Sequence, residues 1–271
     1  MFKMYAGESK GERYPSFEMK IDGFVDCDDS AFPAAAGFPN FITAPRISQI
    51  YPEYLSDPNV LLCPSNATAN ANQFVSPVTG EDTFFRTCNA LDQGVWIFDD
   101  SYHYYGYLLD KLADDPANLF EASALLGIPA PAPAARQLGA FVADISLGLV
   151  GGAGYEDELA QSDGDWELTP TGLAFVGCTG NCGNAETNTL YKLREGIERF
   201  LITDINNPAA TAQAQSTLFI LWDKVSTVAS AFNHVPGGSN VLYLDGHVAF
   251  VRYPGDAPAN APTAVFTGAF D

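Results

Sequence analysis

FNHVPGGSNVLYLDGHVAFVRYPG, residues Phe232–Gly255, is the stretch on which the reading of the whole chain turns. A His, a Gly-Gly pair, an apolar run and then Asp-Gly admit two readings. In one, His234 and Asp245 stand at the ends of an active site. In the other, Asp245-Gly246 is only the turn of a β-hairpin. Backbone chemistry favours the hairpin, because Asp-Gly tolerates positive φ at both central positions of a type I′ turn. With a two-residue loop, Leu244 faces His247, Tyr243 faces Val248, Leu242 faces Ala249 and Val241 faces Phe250. One strand face then carries Tyr243, Val241, Val248 and Phe250, and the other Leu242, Leu244, Ala249 and Val251. Strands apolar on both faces belong inside a layered core. On this reading Asp245 bends the backbone and does no chemistry.

The composition bounds what surrounds this hairpin. The chain has 271 residues, 47% of them hydrophobic and 13% aromatic, enough for a substantial core. Charge is lopsided, 33 acids against 13 bases, for a net charge of −20. Binding nucleic acid needs Lys and Arg to neutralise phosphate, so that class is excluded. No stretch approaches the ~20 uninterrupted apolar residues of a membrane span. The nearest candidate, Gln137 to Tyr155, is broken by Asp144 and rich in Gly.

Five cysteines and only three histidines are present, with no zinc-type CxxC pair, so a structural zinc site is not expected. In GCTGNCGN, Cys178 and Cys182 are close enough for a bridge if the loop curls. Cys63 and Cys88 flank a polar segment, and a bridge there would close a loop of about 25 residues, adding on the order of 3 kcal/mol. Cys27 is left over. Two bridges imply an oxidising compartment.

Along the chain, MFKMYAGE reads as one or two helical turns ending near Gly7, without a cap. This looks like the tail of a longer helix. ITAPRISQIYPEYLS predicts a short helix leading into an extended NVLLCPS, and Tyr102 to Leu109 an aromatic strand. From about 113 to 165 the texture becomes helical (DDPANLFEASALLG and ARQLGAFVADISLGLV) around an extended Pro-Ala linker, which reads as an insertion on a β-rich scaffold. Tyr191 to Ile202 has amphipathic helical spacing, STLFILWDKVS reads as a strand, and the hairpin follows.

Several of these stretches together resemble one family. LREGIERFLITDINNPAATAQAQSTLFILWDKVS followed by the hairpin is similar to the C-terminal part of bacterial prepilin-like proteins, which carry a His, about nine residues, then Asp-Gly. Here ten residues separate His234 from Asp245, one more than usual, which the Gly237-Gly238 loop ahead of Asn240 can absorb. FKMYAGESKGERYPSFE resembles the segment after the long first helix of type II secretion pseudopilins. The resemblance implies an α+β, pilin-like head: a single domain with an antiparallel β-sheet, a helical insertion at about 113–165, and an N-terminal anchor helix of which only the end is present. It implies a non-catalytic subunit of a pilin-like or pseudopilin-like surface or secretion filament, partnered by other such subunits. The membrane would be touched only through the missing helix. The location implied is periplasmic, cell-surface or extracellular in a bacterium, where disulfides fit.

His234, Gly237, Gly238, Asn240, Asp245 and Gly246 are therefore read as structural motif residues, with His234 fixing its loop by hydrogen bonding. The competing readings are a secreted or surface glycan-binding module using the aromatics of WIFDDSYHYYGY, and a hydrolase using His234 with Asp245. No cofactor is required, but calcium is a candidate ligand for two acidic loops, Asp26, Asp28 and Asp29, and Asp163, Asp165 and Glu167. Asn66-Ala67-Thr68 fits a glycosylation sequon.

Overall fold

The structure, a computed structural model of the chain, describes residues 1–17, 43–66, 101–150, 161–202, 208–235 and 237–268. It is an α+β fold whose strands pair antiparallel. Helix α1 (Phe2–Glu8) opens the described chain and α2 (Ile47–Ile50) is a single turn. Strand β1 is Tyr102–His103. Then come β2 (Leu119–Glu121), α3 (Ser123–Leu126), β3 (Pro133–Ala135) and α4 (Arg136–Val150). They are followed by β4 (Trp166–Glu167), α5 (Pro170–Phe175), β5 (Thr189–Leu190) and α6 (Pro208–Gln215). Strands β6 (Phe219–Asp223), β7 (Gly238–Tyr243) and β8 (Val248–Arg252) and helix α7 (Ala261–Thr267) complete the set.

Among the described residues four strands form the main sheet in the order β1-β6-β7-β8, with β8 at one edge. Residues opposite one another share a face, and alternate residues along a strand take opposite faces. Trp222, Val241 and Ala249 thus lie on one side, Leu221, Leu242 and Val248 on the other, with a bulge between Phe219 and Leu221. The Trp222 side closes on a core that includes Tyr105, Phe141, Trp166 and Phe266. A second core, around Phe2, Ala6, Ile47, Tyr104 and Leu244, lies under α1. There Phe2 stacks on Tyr104 with ring centroids 5.0 Å apart.

The hairpin is where it was expected, but one residue out of register. Leu242 faces Val248 and Val241 faces Ala249, so the loop has three residues, Leu244 to Gly246. Tyr243 donates its N–H to the His247 carbonyl at 3.0 Å, and Gly246 donates to the Tyr243 carbonyl at 2.9 Å. Gly246 has φ +96°. This is a turn closed by a glycine bulge, the other solution open to Asp-Gly. The extra loop residue lets Leu244 bury completely in the second core. The slip reassigns the faces. Val248 and Phe250, 61% and 52% exposed, stand on an open face instead of inside a layered core.

Two helical expectations and one extended one also change. Only Ser123–Leu126 of the Asp114–Gly127 stretch is α-helical, because Leu119–Glu121 pairs with Pro133–Ala135. Residues of this section pack into the main core: Ala134, Leu138 and Phe141 join Trp222 and Val241 there. The 191–202 stretch is extended before a short 3-10 turn at Ile197–Phe200. Its backbone is drawn to neighbours, Leu108 N–H to the Tyr191 carbonyl and Leu193 N–H to the Gly106 carbonyl. Residues 59–61, the start of the stretch expected to be extended, lie in a 3-10 turn, Pro58–Leu61, whose cap Asp57 accepts from the Asn59 amide. Helix α4 forms as expected, and its Asp144 has a structural use. It accepts from Trp166 Nε1 at 2.7 Å and from Thr169, the cap of α5. Among the described residues no helix is long and apolar enough to cross a membrane.

Candidate functional site

His234 does not meet Asp245. Its Nε2 lies 2.8 Å from Oδ2 of Asp223, the last residue of β6. The same Asp223 oxygen accepts from the Asn240 backbone N–H at 2.8 Å and from Asn240 Nδ2 at 2.7 Å. Asn240 sits beside Asp223 because β6 and β7 are adjacent, and Ser239 fastens the pair by donating to the Asp223 carbonyl at 2.9 Å. Gly238 delivers the loop into β7. Its φ is +149°, and a Cβ there would lie 2.1 Å from the Val251 carbonyl oxygen, so only glycine fits. Gly237 has no such demand; a Cβ on it would meet Phe250 at 3.3 Å.

Cys63 completes the cluster from a distant segment. Its Sγ lies 3.6 Å from His234 Nε2, and its backbone N–H is held by Ser101 Oγ at 3.0 Å. The expected bridge from Cys63 to Cys88 is corrected on the Cys63 side: Cys63 is a buried free thiol directed at an imidazole. Cys88 lies outside the described residues. Burial pushes the Cys63 thiol above its ordinary pKa, so it is held protonated. Cys178 and Cys182 are joined in a disulfide.

Cys, His and Asp together invite comparison with a nucleophilic relay. In a relay the acid holds one ring nitrogen of the His and the nucleophile meets the other. Here both partners approach Nε2. The thiol is not aligned for activation, and the three donor atoms instead converge, all within 4.8 Å of one another. They open onto a cleft of about 680 Å³ whose walls include Phe2, Val60, Leu242 and Val248.

The other candidate residues fall elsewhere. Asp245 is at the turn, accepting from the His247 amide at 3.0 Å with His247 Nδ1 2.6 Å away. That amide holds the Asp245 carboxyl below its ordinary pKa. Pairing of Asp245 with His234 is thereby replaced by pairing with His247, whose ring stacks on Tyr243 at 4.4 Å. Asp245→Ala is expected to lower stability by about 1 kcal/mol or less, since one exposed hydrogen-bond acceptor is lost. Urea unfolding checks this, and a loss of several kcal/mol would show that the carboxylate does more than shape the loop.

Asp163, Asp165 and Glu167 do not converge as a calcium site. Asp163 accepts from Ser16 Oγ and faces Arg46 at 3.6 Å, while Asp165 pairs with Arg194 at 3.0 Å. Glu167 projects to solvent from β4. Asp26, Asp28 and Asp29 lie outside the described residues. The competing glycan platform loses most of its described rings: Tyr104, Tyr105 and Tyr107 are at most 2% exposed, while Tyr102 is half-buried and lines the cleft. His103, on the same strand segment, is buried, and burial lowers its pKa well below the ordinary value.

Sequence reasoning singled out His234, Gly238 and Asn240, gave Cys63 to a bridge with Cys88 instead of this cluster, and missed Asp223. The one local signal for Asp223 is an acid ending the apolar run LFILWD. Set against family models, curated proteins and solved structures, the chain matches none of them.

Proposed function

We propose that the chain is the head of a pilin-like or pseudopilin-like filament subunit of a bacterial surface or secretion apparatus, acting by assembly with its own kind and without turnover. The observation that supports this reading is the open side of the main sheet. Leu221, Leu242, Val248 and Phe250 share one face: Leu221 and Leu242 pack against the second core, while Val248 and Phe250 are left exposed at the β8 edge, beside Asn240 and near the first residues of α1. An apolar face of this kind on a strongly acidic protein suits contact with a neighbouring subunit. The motif residues are used locally, Asp245 in the turn and His234 against Asp223.

The double substitution Val248→Asp, Phe250→Asp tests the proposal. Both side chains are mostly solvent-facing, so stability should change by no more than about 0.5 kcal/mol each. Cross-linking between copies, measured in the cells that make the protein, should fall to background. Unchanged cross-linked assemblies, or a wild-type chain that never cross-links to itself, would overturn the reading.

A further inference from the structure

We propose that Cys63, Asp223 and His234 form a binding site for a borderline-soft divalent transition metal, zinc foremost, with a fourth coordination position facing the cleft. This goes beyond the assembly reading and stands independently of it. The donor set excludes the hard cations: calcium and magnesium take oxygen ligands, whereas thiolate and imidazole suit zinc.

The distances fit. Around a tetrahedral zinc, a thiolate sulfur and an imidazole nitrogen stand about 3.6 Å apart, and a nitrogen and a carboxylate oxygen about 3.3 Å. Cys63 Sγ and His234 Nε2 are already at 3.6 Å. His234 Nε2 and Asp223 Oδ2 are at 2.8 Å, a hydrogen-bond separation. They must open by about 0.5 Å to admit the ion.

The surroundings are those of a built site. The Asp223 side chain is 5% exposed, and two N–H groups of Asn240 orient its carboxylate, as outer hydrogen bonds orient metal ligands. Cys63 follows the 3-10 turn at Pro58–Leu61, Asp223 ends β6, and His234 precedes β7, so the ion would tie three separate segments together. A thiolate and a carboxylate balance the two charges of the metal. All three ligands line the cleft, which leaves the fourth position open to water, a small ligand or a donor from another copy.

The proton balance is simple. A carboxylate only accepts, so in the metal-free chain His234 Nε2 carries the proton given to Asp223. On binding, that proton moves to Nδ1, the Cys63 thiol releases its proton to solvent, and no redox change occurs.

The test uses the full 271-residue chain, stripped with a chelator and held in excess calcium to occupy the many surface carboxylates. Zinc is titrated by calorimetry, and cobalt(II) by its thiolate-to-metal absorption. One site per chain is expected, weakened more than about tenfold in His234→Gln, with the cobalt–thiolate band absent in Cys63→Ser. The melting of the metal-free variants is the folding control. If His234→Gln fails to fold, Cys63→Ser decides alone, since it exchanges a single atom. Equal zinc binding by wild type and Cys63→Ser, a cobalt–thiolate band that survives in Cys63→Ser, or no saturable site in the wild type would each overturn the proposal.

Discussion

Replacing Asp223 by Ala is expected to lower the unfolding free energy by about 3 kcal/mol in chelator, and Asp223→Asn by roughly half as much. The reason is the number of donors that one carboxylate oxygen satisfies: the Asn240 N–H, Asn240 Nδ2 and His234 Nε2, at 2.8, 2.7 and 2.8 Å. Removing a buried acceptor leaves its donors without partners, which costs more than the bonds contribute when intact. The Asn variant keeps the volume and one acceptor oxygen but loses the charge that strengthens each bond. Urea unfolding followed by circular dichroism reads both values. A loss below about 1 kcal/mol for Asp223→Ala would mean that the loop before β7 is fixed by something other than this cluster.

Alkaline pH should stabilise the chain through one residue. Lys192 has no exposed surface, donates from Nζ to the Pro15 carbonyl at 3.0 Å, and lies 5.2 Å from the centre of the Tyr107 ring. Burial brings its pKa from 10.5 down to about 7, with Asp163 and Asp165 opposing the shift and Arg46 and Arg13 adding to it. Between pH 7 and 10.5 the unfolded chain therefore holds a proton that the folded chain lacks. Stability rises with pH across that window and is flat below it with respect to this group. From pH 7 to 9.5 the gain is about 3 kcal/mol. Tyrosines with raised pKa values, Tyr14 and Tyr104 among them, act in the opposite sense, but only above their ordinary value of 10. Comparing wild type with Lys192→Met isolates the lysine, because both proteins carry the same tyrosines. The stability difference between them should move by about 3 kcal/mol in favour of wild type over that range. A difference that stays constant would place a charged lysine in the folded core.

The residues explain why some of this was legible beforehand. The β6 strand and the β7–β8 pair announce themselves through β-branched and aromatic runs bounded by Gly and Asp, and these elements formed where expected. Register was not legible, because Asp-Gly suits both a two-residue loop and a three-residue loop with a glycine bulge. Burial of Leu244 in a core built by α1 and α2 selects the longer loop. The 191–202 stretch has helical spacing, yet Gly196 takes φ +77° and the backbone before it bonds to the 106–108 segment. Tertiary pairing overrides periodicity there. For the site, His234 stood out as a motif residue and Cys63 as a bridge candidate, but their meeting did not: Asp223 arrives through strand pairing and Cys63 across a sequence separation of 171. Such convergence depends on the folded topology, which no local pattern encodes.

The central claim is that His234 answers to Asp223 while Asp245 serves the turn. Two double-mutant cycles, measured by urea unfolding in chelator, test it most directly, pairing His234→Gln with Asp223→Asn in one and with Asp245→Asn in the other. A coupling of about 1 kcal/mol or more is expected in the first and less than about 0.5 kcal/mol in the second. Strong coupling of His234 to Asp245, with none to Asp223, would contradict it.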